Sequence, residues 1–172
     1  MEKPVVNNEK VIAYLREIDE LLEENIRVIA VGGTAMTLLG LKTSTIDIDF
    51  NFDDKDYKII NEIKELVPTG FRVDIFKSGW IVSQQLPPDY LENIIKIDIE
   101  FKHISLYALH PLDIVAIKIP RLIDRDLEDI KICIETYNLT KEQVENRTKQ
   151  VEYGASEEDF MTNLSDVLRI CF

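Results

Sequence analysis

Apolar positions recur every three to four residues along residues 9–24, where Val11, Ile12, Leu15, Ile18, Leu21 and Leu22 alternate with charges. That period predicts an amphipathic helix. Residues 26–31 are apolar apart from Arg27 and rich in Ile and Val, which predicts a buried strand. Gly32-Gly33-Thr34 interrupts it, and residues 35–39 predict a short helix ended by Gly40. The period then switches to two over residues 45–52: Ile46, Ile48, Phe50 and Phe52 on one face, Asp47, Asp49 and Asn51 on the other. This is the signature of a strand with one buried face. Asp53 and Asp54 suit the N-cap and first turn of a helix reaching about Val67, with Tyr57, Ile59, Ile60, Ile63, Leu66 and Val67 on its apolar side. After the turn Pro68-Thr69-Gly70, residues 71–76 predict another strand, on which Asp74 points away from Val73 and Ile75.

The second half is less regular. Residues 78–93 carry Pro87-Pro88 and the single tryptophan, Trp80, and predict no regular element. Residues 94–109 are strand-rich, as a hairpin or as two strands broken near His103. Pro111 opens a helix at its favoured first-turn position, and helical pattern runs on to Tyr137 with a break expected at Pro120. Residues 140–150 and 156–170 predict two further helices, started by Thr140 with Gln143 and by Ser156 with Asp159. The fold class is therefore α/β (α+β by some conventions): a short mixed β-sheet flanked by helices, with a helical C-terminal part. Strand signals stop before Asn138, which suggests a domain over residues 1–137 and a helical extension over 138–172 packed on it.

Composition narrows the function. A chain of 172 residues buries roughly 70% of its unfolded surface and needs no staples. Cys133 and Cys171 show no CxxC spacing, which fits reduced thiols and a cytoplasmic setting. The N-terminus lacks the apolar core of a secretory signal, and no apolar run is long enough for a membrane span. A formal net charge of −12 argues against an extended nucleic-acid surface, while leaving room for a local contact to an RNA end.

The chemistry concentrates in residues 28–50. Two glycines after a strand let backbone approach a ligand closely, and a helix starting there directs N–H groups at an anion such as phosphate. Thr34 could add a hydroxyl. A Gly-Gly pair alone also fits a plain turn. Asp47 and Asp49 are two apart on a strand, so both carboxylates project from one face. They repel unless a cation lies between them, and Mg²⁺ takes such carboxylates together with substrate phosphate oxygens. The bland alternative is a solvated polar face. A third acid is expected from a neighbouring strand: Asp74 is the first choice and Asp98 the rival. His103 and His110, the only histidines, lack metal spacing and suit loop or cap positions. The run Arg121, Asp124, Arg125, Asp126, Glu128, Asp129 fits either a catalytic cluster or a salt-bridged helix face. Trp80 fits a base-stacking residue or a partly buried plug. No Ser or Cys nucleophile has an identifiable His partner.

The order strand, Gly32-Gly33, helix, Asp47-Ile48-Asp49, then a further acid resembles the nucleotidyltransferase superfamily. Gly32-Gly33-Thr34-Ala35, with Thr43 and Thr45 ahead of the acid pair, is similar to its AbiEii-like toxin branch. So is the later segment: Leu86-Pro87-Pro88-Asp89-Tyr90, Leu109-His110-Pro111-Leu112-Asp113-Ile114, Lys118, and Arg125-Asp126 with Asp129-Ile130. The resemblance spans about residues 25–135. It implies that Gly32, Gly33 and Thr34 bind nucleotide, that Asp47, Asp49 and Asp74 bind Mg²⁺ (or Mn²⁺) and carry catalysis, and that Lys118 steadies phosphate. Two features depart from the superfamily: Gly33 stands where Ser is frequent, and Lys42-Thr43 occupy a region where relatives place Arg.

The activity so implied is metal-dependent transfer of a nucleoside monophosphate from a nucleoside triphosphate to a hydroxyl on tRNA, a protein or a small molecule. The branch adds an expectation of a toxin paired with an antitoxin. The alternative is an inactive nucleotidyltransferase-fold module that binds a nucleotide or a partner.

Overall fold

The structure, a computed structural model, describes residues 2–123, 125–154 and 156–172; Asp124 of the charged run lies outside them. In chain order these residues form α1 (Asn8–Leu21), β1 (Ile26–Ala30), α2 (Gly32–Leu38), β2 (Ile48–Phe52), α3 (Asp54–Ile63), β3 (Val73–Lys77), β4 (Trp80–Ile81), β5 (Gln84–Gln85), β6 (Ile95–Lys96), β7 (Ile104–Ala108), α4 (Pro111–Arg121), α5 (Asp126–Tyr137), α6 (Lys141–Thr148), β8 (Glu152–Tyr153) and α7 (Glu157–Cys171). They gather into two compact units: Met1–Gly79 with Ile94–Leu109, and Trp80–Asn93 with His110–Phe172.

The first unit is built on a mixed sheet in the order β3-β2-β1-β7-β6. β1 runs parallel to β7 and antiparallel to β2, while β2 runs parallel to β3. The alternation read from the sequence fixes the register of β2. Ile48, Phe50 and Phe52 are essentially fully buried, each stabilising the unit by about 1.5–3 kcal/mol. A slip by one residue would put all three in water. The same alternation turns Asp49 to the other face, directly opposite Asp74 of β3.

Three features of this unit differ from the sequence pattern. The strand expected over residues 45–52 begins only at Ile48. Thr45 instead makes an isolated antiparallel bridge to Val6, with both backbone bonds at 2.8 Å, and Ile46 is left 45% exposed. Asn51, expected on the polar face, is fully buried and accepts from the Gly79 N–H at 3.1 Å. Asp19 on α1 is also buried, and its carboxylate accepts from the N–H groups of Lys102, His103 and Ile104. That carboxylate satisfies the backbone where the strand-rich segment divides into β6 and β7.

The second unit packs α5, α6 and α7 around α4, beside a small antiparallel sheet β4-β5-β8. Pro111 stands at the start of α4, and the His110 side chain caps it. Pro120 marks the break expected there, since α4 ends at Arg121 and α5 begins only at Asp126. It sits in the last turn, and α4 stops one residue later, with Leu122 left-handed at φ 35°. So placed, the proline removes one intrahelical bond without forcing a kink mid-helix. Thr140 and Gln143 form the expected capping box of α6, and Ser156 accepts from the Asp159 N–H at the start of α7. The joint expected near Asn138 falls inside this unit, where that residue caps α5 in the left-handed region. Among the described residues, no helix is long and apolar enough to cross a membrane.

Candidate active site

β1 delivers the chain to Val31, which caps α2, and the two glycines follow. Each has its own reason to lack a side chain. Gly32 has φ +54°, a left-handed conformation that other residues adopt at a cost of about 1–2 kcal/mol. A Cβ on it would lie 3.8 Å from Asp49 Oδ2. At Gly33 a Cβ would meet Thr45 Oγ1 at 2.6 Å and Thr45 Cβ at 3.3 Å, too close without displacing Thr45. The glycine pair thus allows the start of α2 to lie against Asp49 and Thr45.

Thr34 is fully buried. Its hydroxyl accepts from the Asp49 N–H at 2.9 Å and donates to the Asp47 carbonyl at 3.4 Å. The Asp49 carbonyl in turn accepts from Val31 N–H at 3.1 Å. The peptide groups on both sides of Asp49 are therefore held to the start of α2, and one hydroxyl ties the backbones of Asp47 and Asp49 together.

Held this way, Asp47, Asp49 and Asp74 converge. One carboxylate oxygen from each lies within 4.8 Å of the other two, and all three side chains are partly exposed. Like charges directly opposite on neighbouring strands destabilise a sheet, and Asp49 and Asp74 occupy such a register. Three hard oxygen donors fit Mg²⁺ or Mn²⁺. Ligand oxygens on one octahedral ion lie roughly 3–4 Å apart, so small side-chain rotations would close the set. The residues therefore suit a divalent ion. Arg72 also reaches this face: its Nε lies 2.8 Å from Asp74 Oδ2. The hydrogen bond and charge of Asp74, then the charges of Asp47 and Asp49, raise the guanidinium's pKa further.

Asp98, the rival third acid, is exposed between β6 and β7 and is not part of this group. Two expected nucleotide contacts are engaged elsewhere. The Thr34 hydroxyl is occupied by the β2 backbone, as above. Lys118 belongs to the second unit, is 4% exposed, and holds its ammonium 3.1 Å from both Asp126 Oδ1 and Asp129 Oδ2. The charged run is thus not simply a solvated face, because Asp126 and Asp129 are buried. Burial alone would raise the Asp126 pKa; the Lys118 charge, Arg121 and the Ile123 N–H outweigh it, and the carboxyl is held below the usual range.

Other motif residues of the second unit form a separate ionic knot. Arg147 Nε and Nη2 bond the two oxygens of Asp113, and its Nη1 bonds Asp89 at 2.7 Å and Gln150 at 3.1 Å. Arg147 carries no local signal in the sequence, because its Asp113 partner lies 34 residues away. The His110 imidazole accepts the Leu112 N–H at 3.0 Å through Nδ1, and burial holds its pKa below the ordinary value. His103 Nδ1 lies 3.2 Å from Asn25 Oδ1, a loop contact. Trp80 opens β4 and is 42% exposed.

No curated protein and no solved structure matches the chain. One family does, described as a nucleotidyltransferase of unknown function (DUF6036), and it matches residues 9–168, a span that takes in the glycine turn, the three acids and both ionic knots. The chain belongs to this nucleotidyltransferase family.

Proposed function

We propose that the protein transfers a nucleoside monophosphate from a nucleoside triphosphate, with ATP as the first to test, to a hydroxyl acceptor. The observation that carries this reading is the convergence of three carboxylates beside the glycine turn. Asp47, Asp49 and Asp74 would each give one oxygen to Mg²⁺ or Mn²⁺. When bound, such an ion neutralises triphosphate charge and acidifies the attacking hydroxyl. The backbone at Gly32 and Gly33 carries no side chain to hold phosphates away. Asp74, from the neighbouring strand, would accept the acceptor's proton as its oxygen bonds to the α-phosphorus. The α–β anhydride bond breaks and pyrophosphate leaves. Positioning and charge stabilisation are the main demands of such a step.

Two roles differ from the expectation. Thr34 positions the acids instead of touching phosphate. Lys118, already balanced by Asp126 and Asp129, is assigned to the stability of its unit.

A net charge of −12 favours a protein hydroxyl or a small molecule over a tRNA end as acceptor. The motif resemblance to the AbiEii-like branch supports a toxin held by an antitoxin, and Cys133 and Cys171 as reduced thiols fit a cytoplasmic, NTP-supplied setting. The test incubates purified protein with labelled NTPs, Mg²⁺ and pools of RNA, protein or small-molecule acceptors. The wild-type chain should transfer label, and Asp47→Ala and Asp49→Ala should not. Equal transfer by the variants excludes this site. Calorimetric binding of ATP and Mg²⁺ without transfer to any pool favours an inactive binding module.

A further inference from the structure

Arg72 stands immediately before β3, two residues from Asp74 and on the same side of the strand. Its carbonyl accepts from the Ile48 N–H at 2.9 Å, which anchors its backbone beside the segment carrying Asp47 and Asp49. The side chain, in contrast, is 75% exposed. Its Nε contacts both carboxylate oxygens of Asp74, at 2.9 and 2.8 Å. The charges of Asp47 and Asp49 act on it as well.

We propose that Arg72 is a contact for the nucleotide's phosphates, held on Asp74 until a divalent ion takes that carboxylate. This rests on the reading of the three acids as a metal site. The Asp74 oxygens cannot serve the guanidinium and an ion equally well. A single exposed guanidinium–carboxylate pair contributes little in water, whereas an ion draws on several carboxylates at once. The ion therefore displaces Arg72. The released guanidinium stays at the mouth of the site, because its backbone is fixed to β2. A triphosphate carries more negative charge than one divalent ion neutralises, and the planar fork of Arg matches phosphate oxygens in pairs. Arg72 thus opposes the metal alone and favours the metal with nucleotide, so its removal should shift the two affinities in opposite directions.

The test uses the full chain and two binding measurements: Mn²⁺ uptake without nucleotide by electron paramagnetic resonance, and calorimetry with a non-hydrolysable ATP analogue at saturating Mn²⁺. Arg72→Gln should bind Mn²⁺ about three- to fivefold more tightly and the analogue about tenfold more weakly. Arg72→Lys, which keeps the charge and loses the fork, should recover part of the analogue affinity. Circular dichroism should show both variants folded like wild type, since the side chain is exposed. Unchanged or weakened Mn²⁺ binding in Arg72→Gln, or unchanged analogue binding, overturns the proposal. A wild-type chain that takes up neither Mn²⁺ nor analogue removes the three-acid site itself, and this role of Arg72 with it.

Discussion

In the first unit Asp47, Asp49 and Asp74 bring carboxylate oxygens within 4.8 Å of one another at a partly exposed edge. In the second, Asp113 and Asp126 are buried against Arg147 and Lys118. Both regions are rich in aspartate, and the physics of each is opposite. A buried acid that faces a guanidinium or ammonium is part of the fold, because removing either partner strands a charge away from water. Acids that face one another work against the fold unless a cation lies between them. The lesson is that an aspartate motif is read by what it faces. Asp126 and Asp129 fit either a catalytic cluster or a salt-bridged face in sequence, and in the structure they close a knot inside a helical unit.

The contrast breaks most visibly at Asp113. Asp113→Ala leaves Arg147 buried without its bidentate partner and should cost about 3–5 kcal/mol in urea unfolding. A loss below about 1 kcal/mol would mean that water reaches Arg147 and that the knot is not structural. Thr34→Val comes next. It strips Asp49 N–H of its acceptor, costs about 1–3 kcal/mol, and should weaken Mn²⁺ uptake, while Thr34→Ser restores both. Stability lost with Mn²⁺ uptake intact would show that the hydroxyl does not position the acids.

His110 gives a smaller, pH-dependent effect. Burial is the main cause of its lowered pKa, with Arg147 adding and Asp113 opposing. The folded state therefore prefers the neutral ring, which its role as acceptor for Leu112 also requires. That contribution is complete above the ordinary value of about 6.5 and is lost as pH falls through it toward the folded-state pKa. Unfolding compared at about pH 7.5 and 5.5 should show a loss of about 1 kcal/mol, the scale of a helix cap. His110→Asn keeps a capping group that does not titrate and should flatten the difference. The smallest effect is expected at Asp49→Asn: stability within about 0.5 kcal/mol of wild type, with metal uptake abolished.

Much of this was legible in the chain. The period-two pattern across Ile48, Asp49, Phe50 and Phe52 fixes the face of Asp49, while Asp47 stands in the bend just ahead of β2. Asp74 followed because a helix and a turn return the chain for one more strand. The capping signals at Thr140 and Ser156 are local chemistry, so they read directly. The missed features are those made by distant partners. Thr45 loses its strand to a one-residue bridge with Val6, which has no periodic signal. Lys118 reads as a phosphate contact because its charge is visible and its two buried acids, on the next helix, are not. Asp19 carries no sequence signal of burial, because the three N–H groups that surround it lie some 83–85 residues later.

The most direct measurement is a crystal structure of the chain with Mn²⁺ and a non-hydrolysable ATP analogue, read through the anomalous signal of the metal. An anomalous peak should lie about 2.1 Å from one oxygen each of Asp47, Asp49 and Asp74, with the triphosphate along Gly32 and Gly33. A peak elsewhere, or no metal at these acids when the analogue is bound, would contradict the account.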